Sequence, residues 1–337
     1  MHGIVYNKKM EILNYKNYDC LDSISVKESL ANYGVAVIPN VLNENEINNM
    51  EDGIWDTLNY ITKNFKKPIL KNNIKTWKLW NDIYPKTGRP VHDFTIGHCQ
   101  FVWDVRQNPK VVKVFSDLWN CEPYDLITSF DALSFHIPPE KTGYGWYDGN
   151  DWFHIDSKIN SKSMECVQGL VTAFDINEGD GTLSIIEGSH KYHEDYFRLL
   201  SNRYPNYEDI SWNSFNKEEL LFFKEKGCER FQIKATKGSV ILWDSKTIHC
   251  GVNPQKNRKN ENFRLVCYVC MSPRSIVNEH QLQARRIALE NLYMTGHCPY
   301  NTVFFRKTVL YPENPELEPV IPFPNLTNLG KRISNMT

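Results

Sequence analysis

Trp152-Phe153-His154-Ile155-Asp156 is the stretch on which this 337-residue chain turns. Residues two apart on an extended strand leave the same face, so His154 and Asp156 can close on one ion while Phe153 and Ile155 face the other way. Trp152 shares the parity of the pair and is expected in the same cavity. A third ligand is needed, and His249 in Ile248-His249-Cys250 is the candidate, 95 residues further on (249 − 154). Two imidazoles and one carboxylate on one face form the donor set that holds non-haem Fe(II) and keeps positions open. The separation leaves room for several strands between the two ligand strands.

The surrounding stretches extend the pattern. Glu178-Gly-Asp-Gly-Thr-Leu-Ser-Ile-Ile-Glu-Gly-Ser-His190 follows the pair, then Lys237-Gly-Ser-Val-Ile-Leu-Trp-Asp-Ser-Lys-Thr-Ile-His249, then Arg264-Leu-Val-Cys-Tyr-Val-Cys-Met271. Upstream stand Gly34-Val-Ala-Val-Ile-Pro-Asn-Val-Leu-Asn43 and Leu133-Ser-Phe-His-Ile-Pro-Pro139. In that order they resemble the phytanoyl-CoA dioxygenase family, from about Tyr33 to the region of Ser275. The resemblance implies a mainly β fold with flanking helices, a double-stranded β-helix (jelly roll, cupin-like). It implies Fe(II) held by His154, Asp156 and His249, 2-oxoglutarate as cosubstrate, and O2 as oxidant. The implied outcome is hydroxylation of a substrate C–H, with succinate and CO2 as coproducts. Related halogenases carry a small residue in place of the carboxylate, so Asp156 favours hydroxylation. The CoA ester of the family name is one member's specificity and is not transferred.

The strand opened by Arg264 places Arg264, Val266, Tyr268 and Cys270 on one face. An inward arginine is costly unless it meets an anion, and the 5-carboxylate of 2-oxoglutarate is the anion that the resemblance offers to a bidentate guanidinium. Arg258, in the long loop Asn253–Asn262 after His249, is the rival; its polar, turn-forming surroundings point it to solvent, so Arg264 is preferred. Trp152, His136 and Trp243 are the candidate substrate-facing side chains. His190 and His193 compete as metal ligands by residue type, but the family pattern sets this histidine away from iron, and both are read as hydrogen-bonding groups. Cys267 and Cys270 form a C-x-x-C without a second pair, and three residues apart on a strand they face opposite ways, which argues against zinc.

The nine cysteines are scattered without a disulfide framework, which suits a reducing compartment. The start lacks a signal-peptide core, and no run of about 18 apolar residues occurs; a cytoplasmic protein is expected. The net charge of −1 sets up no global pull toward nucleic acid or membrane. One oxygenase domain is expected over 1–337: a core over about 33–275, an insertion over about 191–230 that suits a lid or recognition element, and a C-terminal helix and proline-rich tail over about 276–337. The aromatic, glycine-rich residues 140–151 are either a connection or a substrate wall. Val35–Ile38 reads as a buried strand. Asn43 caps a helix with Glu46 in a capping box, whose stripe Ile47, Met50, Ile54, Leu58, Ile61 faces the core. Pro109–Trp119 and Asn216–Lys226 read as further helices. So does 277–294, with Gln281, Arg285, Arg286 and Glu290 on its wet side. The Pro-rich 311–324 reads as a surface strap or tail.

The reading is an Fe(II)/2-oxoglutarate dioxygenase acting on a small molecule. Its alternatives are the same chemistry on a protein or nucleic acid, or a non-catalytic metal-binding barrel.

Overall fold

The structure is a computed structural model and describes residues 13–84, 90–161, 163–200, 211–300, 304–305, 316–318 and 320–337. Two sheets face each other. The first runs β1 (Tyr15–Asn17), β9 (Arg230–Lys234), β7 (Thr182–Ile186), β11 (His249–Val252), β5 (His154–Ile155) and β8 (Asn213–Ser214). The second runs β2 (Val35–Ile38), β10 (Val240–Asp244), β6 (Val167–Thr172), β12 (Arg264–Tyr268) and β4 (Leu133–His136). From β4 to β7 and again from β9 to β12 the chain alternates between the two sheets, the winding of a double-stranded β-helix. The sheets do not close into a barrel, and the space between them stays open at one end. Two small pairs complete the strands: β3 (Leu126–Thr128) with β13 (Met271–Pro273), and β14 (Met294–Thr295) with β15 (Phe304–Phe305).

Alternation along each strand assigns its two faces. On β10, Ile241 and Trp243 join Leu170, Ile185, Ile233 and Val266 between the sheets, while Val240 and Leu242 pack outward under helices. The strand is therefore buried on both sides and reads as one apolar run. The outer helices are α1 (Ser23–Tyr33), α2 (Glu44–Ile61), α3 (Lys78–Ile83), α4 (Gln100–Arg106) and α5 (Pro109–Trp119). On α2, Asn43 accepts from the Glu46 amide and Glu46 accepts from the Asn43 amide, and the whole stripe Ile47 to Ile61 is buried. Residue Pro109 opens α5 with Asn108 as its cap. Behind the first sheet stand α7 (His193–Leu200) and α8 (Lys217–Glu225), whose aromatic side chains Tyr196, Phe197 and Phe223 pack on Phe153, Ile155 and Phe215. Short α6 (Pro139–Thr142), α9 (Glu279–Glu290) and α10 (Asn328–Ser334) complete the set. Among the described residues no helix is long and apolar enough to cross a membrane.

Gly34 ends α1 with φ +79°, and a Cβ there would lie 2.2 Å from Thr247 Oγ1. A side chain there would strain the turn and hold off Thr247, in the loop that leads into His249. The described part of the proline-rich tail is a strap: the Glu318 amide donates to the Ile61 carbonyl, that of Ile321 to Thr95 Oγ1 and that of Asn325 to Gln100 Oε1. Residues 311–315 and 319 of the tail fall outside the described residues.

Three expectations are corrected. Arg285 does not sit on the wet side of α9: it is fully buried, donates to the Thr128 carbonyl and lies over the Phe130 ring at 4.5 Å. Arg258 is not in solvent. Its side chain is 1% exposed and is gripped by both oxygens of Glu140 and by Asp180, all at 2.8 Å. And His193 is not a hydrogen-bonding group: among the described residues neither buried ring nitrogen has a partner, and the ring lies against Phe197. His190 does hydrogen-bond, through Nε2 to the Ala31 carbonyl at 3.1 Å.

Burial holds His98 (0% exposed) and His193 (3% exposed) neutral, pushing each pKa down to about 3, with Arg106 adding to the effect at His98 and Lys246 at His193. The unfolded chain takes up these protons near pH ~6.5. The stabilisation is thus fully present above that pH and is lost progressively as the pH falls toward 3. Denaturant titrations at about pH 7 and about pH 5.5 should show a loss of roughly 2 kcal/mol from these two groups. His193→Phe should remove about half of that slope. An unchanged slope would mean that His193 is not held neutral in the folded protein.

Candidate metal centre

β11 pairs with β5 so that His249 lies directly opposite His154. Asp156 follows β5, its amide donating to the Ser245 carbonyl at 3.1 Å. The fold thus joins the two distant segments side by side. Asp156 Oδ2 lies 3.5 Å from His154 Nε2 and 3.3 Å from His249 Nε2. One donor atom from each residue falls within 4.8 Å of the others, and among the described residues this is the one such cluster of histidine, cysteine and carboxylate groups.

Both imidazoles are oriented from behind. His154 Nδ1 donates to the Trp152 carbonyl at 2.9 Å and His249 Nδ1 to the Thr247 carbonyl at 2.8 Å. With the proton on Nδ1, each Nε2 keeps its lone pair toward Asp156, the tautomer a metal requires. Burial, then the neighbouring His154, lowers the pKa of His249, against the opposing pull of Asp156. Burial alone would raise the Asp156 carboxyl. The nearby His297, with His154 and His249 close against the carboxylate, outweighs that and holds the carboxyl well below the ordinary range. Asp156 therefore enters the set as a carboxylate. Gln168 Nε2, from β6, donates to Asp156 Oδ2 at 3.0 Å and to Ser245 Oγ at 3.3 Å, fixing the carboxylate's rotation.

The cluster opens into a cavity of about 850 Å³. Trp152, as its parity predicts, lines it and stacks on His154 with centroids 4.1 Å apart and planes at 18°. Trp243 also lines it, 5.5 Å from the His249 ring, and among the described residues its buried Nε1 has no acceptor. Arg264 lines the same cavity from β12, Nη1 donating to the Gly181 carbonyl at 3.2 Å. Tyr268 shares its face, whereas β12 ends there and Cys270 points elsewhere. His136 lies outside the cavity. It sits opposite Arg264 in the β4–β12 ladder and faces a small crevice with Trp80 and Tyr144. Residues 140–151 supply none of the cavity lining. The insertion does: β8 adds to β5 and carries Ser214 into the wall, with Trp212 half-exposed at the rim, 5.9 Å from the His154 ring. Residues 201–210 of the insertion lie outside the described residues.

Sequence reasoning missed Gln168, His92, Asp131 and His297. A signal existed for Gln168, since an amide inside the apolar run Val167–Thr172 must find a buried partner. Nothing local marks His297, which arrives from beyond the second sheet.

Residues 30–253 match the phytanoyl-CoA dioxygenase (PhyH) family. The "Ava biosynthesis cluster protein O" of Aspergillus versicolor is 24% identical over 214 residues, 62% of this chain and 66% of that protein's length. A Dictyostelium discoideum protein assigned by name to the phytanoyl-CoA dioxygenases is 25% identical over 295 residues, 79% of this chain and 80% of that one. A solved structure from Salmonella typhimurium LT2, named as an oxidoreductase, shares the fold at TM-score 0.58 and 14% identity, over 95% of this chain and 86% of that one. Since the family match takes in more than half of its residues, this chain belongs to the phytanoyl-CoA dioxygenase family.

Proposed function

We propose that the protein is an Fe(II)- and 2-oxoglutarate-dependent dioxygenase that hydroxylates an unactivated C–H of a small molecule. The observation that carries this reading is the convergence of His154 Nε2, His249 Nε2 and Asp156 Oδ2 at the wall of a cavity that also receives Arg264. The donor set fits the metal: two neutral imidazoles and a carboxylate suit Fe(II) and leave positions for other ligands. The cosubstrate fits the rest. The guanidinium of Arg264 offers a bidentate grip on a carboxylate, and the unpaired Trp243 indole N–H supplies a further donor in the same cavity.

His154, Asp156 and His249 would hold the metal. When bound, it supplies the activation of O2 that couples oxidative decarboxylation of 2-oxoglutarate, to succinate and CO2, with conversion of a substrate C–H to C–OH. The protein's part is geometry and exclusion of water. Gln168 keeps Asp156 turned toward the histidines, the Trp152 ring holds the His154 imidazole flat, and Arg264 orients the cosubstrate. The apolar walls of Leu170 and Leu183 keep water off the reacting face.

The protein, incubated with Fe(II), 2-oxoglutarate and air, is expected to form succinate, and a metabolite-pool screen should reveal a product heavier by one oxygen atom. Succinate formation that no small-molecule fraction stimulates, but a protein or nucleic-acid fraction does, would move the substrate to that class. No succinate under any of these conditions would overturn the assignment.

A further inference from the structure

Among the described residues no cysteine is in a disulfide, and three of the nine meet behind the metal centre. Cys166 and Cys270 are 5% and 1% exposed, with their sulfurs 3.7 Å apart. Half-buried Cys298 hydrogen-bonds the Cys166 thiol. The group is assembled by the fold: Cys166 directly precedes β6, Cys270 sits between β12 and β13, and Cys298 follows His297 of the cavity wall.

Cys166 is coupled to the carboxylate ligand through the backbone. Its carbonyl accepts from the Ser245 amide at 3.0 Å, and the Ser245 carbonyl accepts from the Asp156 amide at 3.1 Å. One residue beyond Val167, Gln168 bridges Ser245 Oγ and Asp156 Oδ2. Cys270 is held more firmly. Its amide donates to Ser129 Oγ, and its carbonyl accepts from the Ser129 amide at 2.8 Å. Cys166 lies just outside the paired part of β6. A force drawing the two sulfurs together therefore displaces Cys166 first.

We propose that Cys166, Cys270 and Cys298 form an oxidation-sensitive thiol site, in which a peroxide converts Cys166 and Cys270 to a disulfide through Cys298 and thereby loosens the metal centre. The second half of this proposal rests on the reading of His154, Asp156 and His249 as metal ligands. The hydrogen bond to Cys270 keeps the Cys166 thiol protonated well above the ordinary range, and burial raises the Cys270 thiol, so neither attacks peroxide readily. Half-buried Cys298 meets the oxidant first. Its thiolate attacks one peroxide oxygen, the O–O bond breaks with loss of hydroxide, and a sulfenic acid forms. The Cys166 sulfur then attacks the Cys298 sulfur, and its proton leaves with the displaced hydroxyl as water. Cys270 attacks Cys166 in turn, and its proton passes to Cys298, which departs as a thiol. The balance is two thiols and one hydrogen peroxide giving one disulfide and two waters. A disulfide is about 2.05 Å long, so the 3.7 Å gap closes by roughly 1.6 Å.

The test uses the full-length metal-free protein and hydrogen peroxide, followed by alkylation, digestion without reduction and mass spectrometry. The expected product is a Cys166–Cys270 cross-linked peptide, lighter by two hydrogens than its parts. Cys298→Ser should slow its formation about tenfold or more, as loss of the accessible thiol predicts, and Cys270→Ser should halt the sequence at Cys166–Cys298. In calorimetric titration the oxidised protein should bind Mn(II) about tenfold more weakly or worse, the scale of lost support around a metal ligand, and dithiothreitol should restore it. Oxidation that stops at Cys298 sulfinic acid, with no cross-link, would overturn the site. A cross-link with unchanged Mn(II) affinity would overturn its coupling to the metal centre. Should the reduced protein bind no Mn(II), the ligand reading and the coupling fall together, while the cross-link is judged by mass alone.

Discussion

Asp156→Ala is expected to weaken Mn(II) or Fe(II) binding by about a hundredfold or more, beyond the 10–100-fold typical of groups that only support a ligand. Asp156 is the one anionic donor in the cluster. Its removal takes away the negative charge that offsets the metal's positive charge, and it removes one of the two acceptors of the Gln168 amide, leaving Ser245 Oγ. The fold should survive, because the Asp156 amide still donates to the Ser245 carbonyl and β5 keeps its place beside β11. Succinate formation should fall with metal occupancy. Gln168→Ala, which removes only the orienting hydrogen bond, should cost less than Asp156→Ala. Calorimetric titration of Mn(II) into the three proteins under anaerobic conditions makes the comparison. If Asp156→Ala bound metal and turned over 2-oxoglutarate like the parent, the carboxylate would not be a ligand.

Arg264→Ala is expected to weaken 2-oxoglutarate binding by about two orders of magnitude or more while leaving metal affinity nearly unchanged. Each charge-assisted hydrogen bond contributes roughly 1.5–3 kcal/mol, and every ~1.4 kcal/mol is tenfold, so loss of a bidentate pair accounts for that scale. Arg258→Ala should behave differently. Its guanidinium is already committed to Glu140 and Asp180, and removing one partner of a buried ion pair costs about 3–5 kcal/mol of stability. Arg258→Ala should therefore lower the melting temperature, whereas Arg264→Ala should lower cosubstrate affinity. The two sites are not independent, since Asp180 adjoins Gly181, whose carbonyl accepts from Arg264. A secondary loss of affinity in Arg258→Ala would accompany the loss of stability. Were Arg258→Ala to lose 2-oxoglutarate selectively at unchanged stability, the loop would be the anchor. Were neither to lose it, the cosubstrate itself would be in doubt.

What could be read from the amino-acid order alone is what short-range physics governs. The capping box of Asn43 and Glu46 spans three residues, the stripe of α2 repeats every three or four, and the parity of Trp152, His154 and Asp156 needs only an extended backbone. Each depends on neighbours within a turn of helix or a few positions of strand, and each appears in the structure where the pattern puts it. The winding of β5 to β12 followed from the order of several motifs that resemble one family. The polar side chains went astray because their energetics depend on residues far along the chain. Arg258 reads as a loop residue bound for water, yet Glu140, 118 residues away, makes its burial favourable. Arg285 reads as one more wet position on α9, until the Thr128 carbonyl and the Phe130 ring meet it from 157 and 155 residues upstream (285 − 128, 285 − 130). His193 carries a polar label and lies in an apolar pocket beside Phe197. For a charged or polar group, exposure is a balance between desolvation and partners. The sequence contains both terms of that balance, but only the tertiary structure brings the partners together, as it does for His297 at the cavity wall and for the three thiols behind Asp156.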